Sequence, residues 1–325
     1  MILVYVEVSG DAVSEVSLET VTFARGLSAA GGGVPIDAVL VGPAPSGATA
    51  ELASYGVRTV HHADGEDLER FSGAATAAAV VAARQAAGSV VVMAGGTNRG
   101  NEVMARVATR LDVAMAANVV SFGGLSPFVV TRQVVGGAAL EEMRLSQRPA
   151  VFTVAGHAVE PTPAPEPGAG TVQPLGVELT PGDLAVRVVS VERTDNDSAG
   201  SLKSARIVVG AGRGAGGPDG FGDVLELAEL LGGSLGVSRV VTSLGWRPHH
   251  EQVGQTGSRI SPEVYIPCGI SGAIQHWAGC ASSKVILAIN TDPEAPMMTK
   301  ATYAVVGDMH EVVPAINEEI RRRRG

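Results

Sequence analysis

The chain has 325 residues, of which 45% are hydrophobic and 18% charged, and this balance predicts a well-buried globular protein instead of a disordered one. The length is sufficient for two domains, and the formal net charge of −9 argues against a nucleic-acid-binding surface. The chain has 2 cysteines, starts on a strand-like segment without a leader peptide, and has no apolar run of bilayer length, so we expect a cytoplasmic protein with no direct membrane insertion.

The first half of the chain alternates strands with helices. Strand patterns occur at 2–8, 36–41, 57–62, 89–94 and 118–122, and helical patterns at 14–30, 76–87 and 102–111. This alternation predicts a doubly wound parallel sheet. Residues 128–155 interrupt the rhythm with neighbouring strand-like runs around Gly136 and Gly137, which predicts a hairpin extension.

A proline-rich segment follows the hairpin region. Pro161, Pro163, Pro165 and Pro167 cannot continue a helix or an interior strand, so residues 161–170 are predicted to form an extended, exposed connector. The domain boundary is placed after this connector, which gives an N-terminal α/β domain over 1–184 and a second domain over 185–325.

The second domain restarts the α/β rhythm. Strand patterns occur at 205–210, 263–267, 285–290 and 302–306, and helical patterns at 221–231 and 311–323. The fold class is therefore predicted as α/β, with two doubly wound parallel-sheet domains. His249 and His250 have no cysteine, aspartate or third histidine at a metal-binding spacing, so no metal site is predicted.

Residues 252–279 combine a glycine turn, a strand and a second glycine-opened segment. The turn Gly254–Gly257 leaves backbone N–H groups accessible, while Gln255 and Thr256 offer side-chain hydrogen bonds. After the strand, Ser271 and Gly272 are predicted to open a helix whose N-terminus favours an anion. The segment is typical of a site for a large anionic cofactor, and we interpret it as a flavin site.

Five motifs resemble the family of electron transfer flavoprotein alpha subunits. They are VGAGRG (209–214), VSR (237–239), VGQTG (253–257), the strand–turn–helix at 262–279 and AINTDPEAP (288–296), in the order that the family shows. The resemblance covers roughly residues 185–320 and is looser in the first half, where 98–119 follows the family's helix pattern. Val135 and Ala138 stand where the family has a tyrosine and an asparagine, a departure that bears on subunit contact.

The resemblance implies one FAD, held mostly by residues 205–310, and assigns roles around it. Arg213 would lie against the cofactor, Ser238 at the pyrophosphate, and Arg239 over the flavin ring, where a fixed cation favours an anionic semiquinone. Thr256, assisted by Gly254 and Gln255, would lie at the flavin N5 position, and His276 at the pyrimidine carbonyl edge. Asn290 and Asp308 would lie at the adenosine end. The full set of predicted FAD-binding residues is Arg213, Ser238, Arg239, Val253, Gly254, Gln255, Thr256, Ser271, Gly272, Ala273, Ile274, Gln275, His276, Asn290, Asp308 and Met309.

Each of these residues also has a structural interpretation on its pattern alone. GAGRG is then a flexible strand-to-helix turn, and Arg239 a surface arginine paired with a carboxylate. Thr256 becomes a turn threonine bonded to its own backbone, and His276 a structural helix histidine.

By resemblance the chain is predicted to be an electron carrier and not an enzyme with its own substrate. It would form a heterodimer with a beta subunit, which would hold AMP or a second flavin, and its FAD domain would be mobile. Electrons would come from flavin-dependent dehydrogenases, such as those of fatty acid oxidation, and go to a membrane quinone oxidoreductase or similar acceptor. The alternatives are a flavoenzyme that oxidises a small substrate directly with His276 or Arg239 as catalytic groups, a non-redox adenine-nucleotide module, and an electron-bifurcating variant with a second flavin in the beta subunit.

Overall fold

The computed structural model describes residues 1–135, 139–190, 202 and 204–324. The chain divides into two compact units, Met1–Val134 with Leu140–Glu192, and Val135–Ala139 with Arg193–Gly325. The main division falls after Glu192, beyond the boundary at 184 that the sequence predicts. The hairpin glycines Gly136 and Gly137 and the atypical Ala138 lie outside the described residues.

The strands of the first unit are β1 (Ile2–Tyr5), β2 (Val8–Ser9), β3 (Ala12–Val13), β4 (Ile36–Val41), β5 (Thr59–Ala63), β6 (Val91–Gly95), β7 (Met115–Leu125), β8 (Phe128–Val134), β9 (Ala139–Arg144), β10 (Ala150–Val154) and β11 (Thr171–Pro174). All but β2 and β3 form one nine-stranded sheet in the order β11-β5-β4-β1-β6-β10-β7-β8-β9. Strands β2 and β3 form a separate antiparallel pair. The helices of this unit are α1 (Glu15–Ala30), α2 (Ala48–Ser54), α3 (Gly73–Ala87) and α4 (Asn98–Leu111).

Alternating side chains of β1 supply the cores on the two faces of this sheet. Ile2 and Val4 pack in a cluster with residues of α1, whereas Leu3 and Tyr5 pack in another with residues of α3 and α4. Because β1 pairs in parallel with β4 on one side and β6 on the other, the sheet is doubly wound, as predicted.

Only part of residues 128–155 belongs to the predicted hairpin extension. Strands β7 and β8 pair antiparallel, and β8 is followed by its neighbour β9 at the sheet edge. Strand β10 instead returns between β6 and β7 and pairs in parallel with both. Its fully buried sequence AVFTV explains this, because such a run suits a central parallel strand.

The proline-rich segment 161–170 is anchored on the first unit. The Ala164 N–H donates to the Ser54 carbonyl, and the N–H groups of Gly168 and Gly170 donate to the carbonyls of Ala53 and Val57. Strand β11 then pairs in parallel with β5. Residues 161–170 form neither a helix nor a strand, and their backbone hydrogen bonds fix them to this unit.

The second unit has a five-stranded parallel sheet in the order β13-β12-β14-β15-β16. Its strands are β12 (Ile207–Ala211), β13 (Ser234–Val237), β14 (Val264–Cys268), β15 (Val285–Asn290) and β16 (Tyr303–Val306), and its helices are α5 (Gly222–Leu230), α6 (Arg239–Ser243), α7 (Ile274–Cys280), α8 (Pro296–Lys300) and α9 (Met309–Arg324). The strand order reverses at β12, so the topological switch point lies between β12 and β14.

Two cores enclose this second sheet. Val209 and Ile266 pack on the face covered by α5 and α9, while Val208 and Tyr265 pack on the opposite face against residues such as Met297 of α8. Both cores draw only on residues of this unit. Among the described residues, none of the helices combines the length and the apolar sequence that a membrane crossing requires.

Candidate functional site

One cavity of about 580 Å³ opens at the carboxyl ends of the strands in the second unit. The loops that follow β12, β13, β14, β15 and β16 all contribute to its wall, as does the turn 252–256. Ligands of open α/β sheets bind at this edge, at the topological switch point. The volume is that of a typical small-molecule or cofactor site.

Almost the whole set of predicted binding residues lines this cavity. Ile274 is the exception, because it is 73% exposed and lies outside the lining. The predicted residues that the structure brings together are Arg213, Ser238, Arg239, Val253, Gly254, Gln255, Thr256, Ser271, Gly272, Ala273, Gln275, His276, Asn290, Asp308 and Met309.

Two glycine loops meet at the switch point. The Gly214 N–H donates to the Gly269 carbonyl over 3.2 Å, and a Cβ added to Gly214 would lie 2.7 Å from the Gly269 Cα. The loops after β12 and β14 therefore touch backbone to backbone, which only glycine permits at this distance. The sequence motif GAGRG is thus a close-packed wall of the cavity.

Helix α7 starts later than the sequence predicts. Ser271 and Gly272 do not open it; Ala273 is its N-cap and Ile274 its first residue. Gly272 has a φ of +80°, outside the helical region, and a Cβ there would lie 2.5 Å from the Met297 backbone nitrogen. The stretch from Gly269 to Ala273 is therefore a loop that follows β14 and walls the cavity, and the helix itself has only 7 residues.

Arg213 and Arg239 place two cations on the cavity wall. Both are exposed, and neither guanidinium makes an ion pair within the described part of the chain. By contrast, Arg247 of the same unit pairs with Glu251 at 2.6 Å. The interpretation of Arg239 as a carboxylate-paired surface residue therefore does not hold in the described chain. Asp292 and Asp308 also line the cavity, and their carboxylates accept backbone N–H groups of Glu294 and His310 respectively.

Gln252 connects two hydroxyl groups at the cavity wall. Its side chain is buried: Oε1 accepts from Thr242 Oγ1 over 2.7 Å, and Nε2 donates to Thr256 Oγ1 over 3.0 Å. Thr256 is thus held by a side chain and not by its own backbone. Its hydroxyl accepts from Gln252, and within the described residues its own hydrogen has no acceptor, so it can donate to a ligand. No local sequence pattern assigns Gln252 a role, because only tertiary contact places it between the two threonines.

His276 is buried between the core and the cavity. Its Nε2 lies 2.7 Å from the Tyr265 hydroxyl, and the two rings stack with centroids 6.1 Å apart. Burial lowers the pKa of His276 to about 4, and the Val253 backbone makes a smaller, opposing contribution. The ring is therefore neutral at physiological pH.

Two buried polar atoms on the cavity wall lack partners. Within the described residues, neither Ser238 Oγ nor His276 Nδ1 has a hydrogen-bond partner, although both are buried. Such groups cost free energy unless a ligand or water satisfies them. Together with the two unpaired arginines, they fit a ligand that carries both negative charge and hydrogen-bonding atoms.

His310 is a lining residue that the sequence analysis missed. Its Nε2 lies 3.2 Å from the Gly214 carbonyl, so it joins the first turn of α9 to the loop after β12. The neighbouring Asp308 was predicted from its place at a strand end, and the same signal could have found His310. Val240, Thr291 and Asp292 follow strands β13 and β15 in the same way.

Comparisons with known proteins cover both units. The model of the electron transfer flavoprotein domain matches residues 2–180, and that of the electron transfer flavoprotein FAD-binding domain matches residues 201–281. A relative called electron transfer flavoprotein subunit alpha, from Mycobacterium leprae (strain TN), is 34% identical over 325 residues, which cover 99% of each chain. The protein of the same name from Thermoanaerobacterium thermosaccharolyticum is 33% identical over 89% of this chain and 88% of its own. Protein FixB of Clostridium saccharobutylicum is 34% identical over 87% of this chain and 85% of its own.

Among solved structures, a putative thiamin diphosphate-dependent enzyme from Mycobacterium smegmatis covers 94% of this chain and 62% of its own. Its identity of 13% and TM-score of 0.24 are too low to bear on the fold or the site.

Proposed function

The chain belongs to the family of electron transfer flavoprotein alpha subunits, and on that premise we propose that its cavity holds FAD and that the bound flavin carries electrons between partner proteins. The match of the FAD-binding domain model to residues 201–281 supports the assignment of the flavin to the second unit. The observation that carries the assignment of the site is that polar groups without a partner among the described residues converge on one cavity. They are the Arg213 and Arg239 guanidinium groups, Ser238 Oγ and His276 Nδ1.

We assign each of these groups a part in holding the cofactor. Ser238, buried at the start of α6, suits the pyrophosphate, and Arg213 adds positive charge against it. Thr256, held by Gln252, would direct its hydroxyl hydrogen to the flavin N5 position. FAD supplies the redox chemistry, and the chain supplies binding, orientation and electrostatics.

Arg239 is proposed to tune the cofactor's potential. Its guanidinium has no carboxylate partner in the described chain, so its charge is available to the ligand. A cation beside the ring favours whichever redox form carries negative charge, so we propose that Arg239 stabilises an anionic semiquinone.

The partners follow from the proposed role. Relatives bear the name subunit alpha, which supports a heterodimer with a beta subunit. We propose that flavin-dependent dehydrogenases of the cytoplasm, such as those of fatty acid oxidation, donate electrons, and that a membrane quinone oxidoreductase or similar protein accepts them. A bifurcating variant would carry a second flavin in the beta subunit. A flavoenzyme that oxidises a small substrate directly is the alternative, and it would turn over without a protein donor.

The test is an anaerobic reductive titration of the chain co-expressed with its beta subunit, followed by visible absorbance. We expect a yellow complex that passes through a red, one-electron-reduced form before full reduction. A colourless complex would exclude the flavin assignment. A flavin that goes directly to the two-electron-reduced form, with turnover of a small substrate alone, would favour the flavoenzyme.

A further inference from the structure

Tyr265 is a fully buried polar residue whose hydroxyl has one hydrogen-bond partner among the described residues. It lies on β14, and its hydroxyl oxygen is 2.7 Å from His276 Nε2. The neighbouring strand leaves room for that hydroxyl, because a Cβ on Gly210 would lie 2.6 Å from the Tyr265 oxygen. The packing therefore leaves space for a hydroxyl group, which a phenylalanine at this position would not fill.

The direction of this hydrogen bond decides where the proton of the histidine ring lies. If Nε2–H donated to tyrosine, the Tyr265 O–H would be a buried donor without an acceptor, and Nδ1 would be a buried acceptor without a donor. If tyrosine donates to Nε2, its hydroxyl is satisfied and Nδ1 carries the hydrogen. Of the polar groups of this pair, only the Nδ1–H then lacks a hydrogen-bond partner within the described residues. The Val253 backbone lies near enough to raise the pKa of the ring, and His276 lines the cavity, where a ligand could accept from Nδ1–H. The second arrangement costs less free energy.

We propose that Tyr265 is a positioning residue that holds His276 as the neutral Nδ1–H tautomer, so that the ring offers an N–H donor to an acceptor atom of the bound flavin. This inference rests on the proposed function. The tautomer has a chemical consequence: a neutral donor stabilises negative charge on the ligand without adding a third full cation to Arg213 and Arg239 in the cavity.

The surroundings of the pair agree with a neutral ring. The thiols nearest to Tyr265, Cys268 and Cys280, are buried, and burial raises the pKa of each to about 12, so neither is charged at neutral pH. Burial also raises the pKa of the Tyr265 hydroxyl well above its usual value, so the phenol keeps the proton that it donates.

The experiment is ¹⁵N NMR of the histidine rings in the complex with the beta subunit, expressed with ¹⁵N-labelled histidine. Long-range ¹H–¹⁵N correlations distinguish the two neutral tautomers from each other and from the imidazolium. His276→Gln identifies the signals of His276 by their loss. The absorbance of the same sample reports whether flavin is bound, so a colourless sample tests the proposed function and the ring signals test this inference.

In the unsubstituted protein we expect His276 with hydrogen on Nδ1 and a hydrogen-bonded, unprotonated Nε2. An Nε2–H tautomer or an imidazolium in a flavin-loaded sample would overturn the inference. This measurement needs no substitution at Tyr265, so it stands even if a variant there fails to fold.

Tyr265→Phe then tests the role of the hydroxyl. We expect the His276 signals to move toward a mixture of tautomers, and FAD to bind about 3- to 10-fold more weakly, as the loss of one oriented hydrogen bond implies. Tyr303→Phe is the matched control, because Tyr303 is 62% exposed on β16 in the same unit, and it should change neither readout. A Tyr265→Phe protein with an unchanged tautomer and unchanged FAD affinity would show that the hydroxyl does not position the ring.

Discussion

At the scale of single residues, a neutral buried histidine makes the second unit sensitive to acid. The pKa of His276 is lowered by burial from 6.5 to about 4 in the folded chain. In the unfolded chain the ring has its ordinary pKa near 6.5, so the unfolded state takes up a proton first as pH falls. The free energy of unfolding therefore decreases from about pH 6.5 downward and stops decreasing on this account near pH 4.

The corresponding prediction concerns His276→Gln in the flavin-free chain. The two pKa values imply that the wild type loses about 2 kcal/mol between pH 7 and pH 5 through this residue, and about 3 kcal/mol by pH 4. The variant should lack that part of the pH dependence, whatever its stability at pH 7. Urea unfolding at several pH values measures both proteins, and parallel curves would contradict the prediction.

Arg239 offers a second test at this scale. Because its guanidinium is unpaired in the described chain and lines the cavity, Arg239→Ala should retain FAD but lose the red one-electron-reduced form in a reductive titration. Arg259→Ala is the control, since Arg259 is also exposed in this unit but does not line the cavity. An unchanged red form in Arg239→Ala would remove the arginine from this role.

Gln252 and Thr256 form one hydrogen-bond network, so substitutions at the two positions should affect FAD binding through the same interaction. Gln252→Leu removes the amide that holds the Thr256 hydroxyl, while the Thr242 hydroxyl keeps its hydrogen bond to the Arg239 carbonyl; Thr256→Val removes the Thr256 hydroxyl itself. Each change should weaken FAD binding, by up to about tenfold. The double variant should bind no more weakly than Thr256→Val alone, because the relay acts through that hydroxyl. Fluorescence titration with FAD gives the three affinities, and additive effects would show that Gln252 acts by another route.

At the scale of elements, the loop from Gly269 to Ala273 depends on one left-handed residue. An alanine at Gly272 would need a φ of +80°, which costs roughly 1–2 kcal/mol, and its Cβ would lie 2.5 Å from the Met297 backbone nitrogen. We therefore expect Gly272→Ala to destabilise the unit by more than about 1 kcal/mol and to weaken FAD binding. Gly217→Ala is the matched control, because no atom lies within 4 Å of its Cβ position. Equal unfolding midpoints in urea would contradict the expectation.

The strands of the second unit could be predicted from the sequence more accurately than the loop from Gly269 to Ala273. Runs such as 285–290 match β15 because a buried parallel strand is a continuous apolar segment. Ser271 followed by Gly272 has the composition of a helix start, but the contact of Gly272 with Met297, which is distant in the chain, excludes a helix there. The pairing of Tyr265 with His276, and the position of Gln252 between two threonines, likewise depend on contacts that no local pattern encodes.

At the scale of the whole molecule, each unit has cores of its own. The clusters around β12 and β14 contain only residues of the second unit, and those around β1 only residues of the first. Independent cores are the physical basis of independent folding. The proline-rich segment belongs with the first unit by its hydrogen bonds to Ala53 and Val57, so a cut there would not separate the two.

We therefore predict that the fragment 193–325 folds without the first unit. It should unfold cooperatively in urea and retain measurable affinity for FAD, because every residue that lines the cavity lies within it. Circular dichroism and flavin fluorescence measure the two properties, with the fragment 1–192 as the control that should fold without binding flavin. A non-cooperative urea transition in 193–325 would contradict the assignment of separate domains.

The wall of the cavity is assembled from segments that lie far apart in the chain, from Arg213 to His310. Unfolding of the second unit disperses these segments, so a ligand held by all of them binds the folded state alone. Thermodynamic linkage then adds RT ln(1 + [L]/Kd) to stability, about 2.7 kcal/mol when free ligand is a hundredfold above its Kd. The supply of cofactor thus sets how long the chain resists proteolysis, and a newly made chain is most vulnerable before it acquires its flavin.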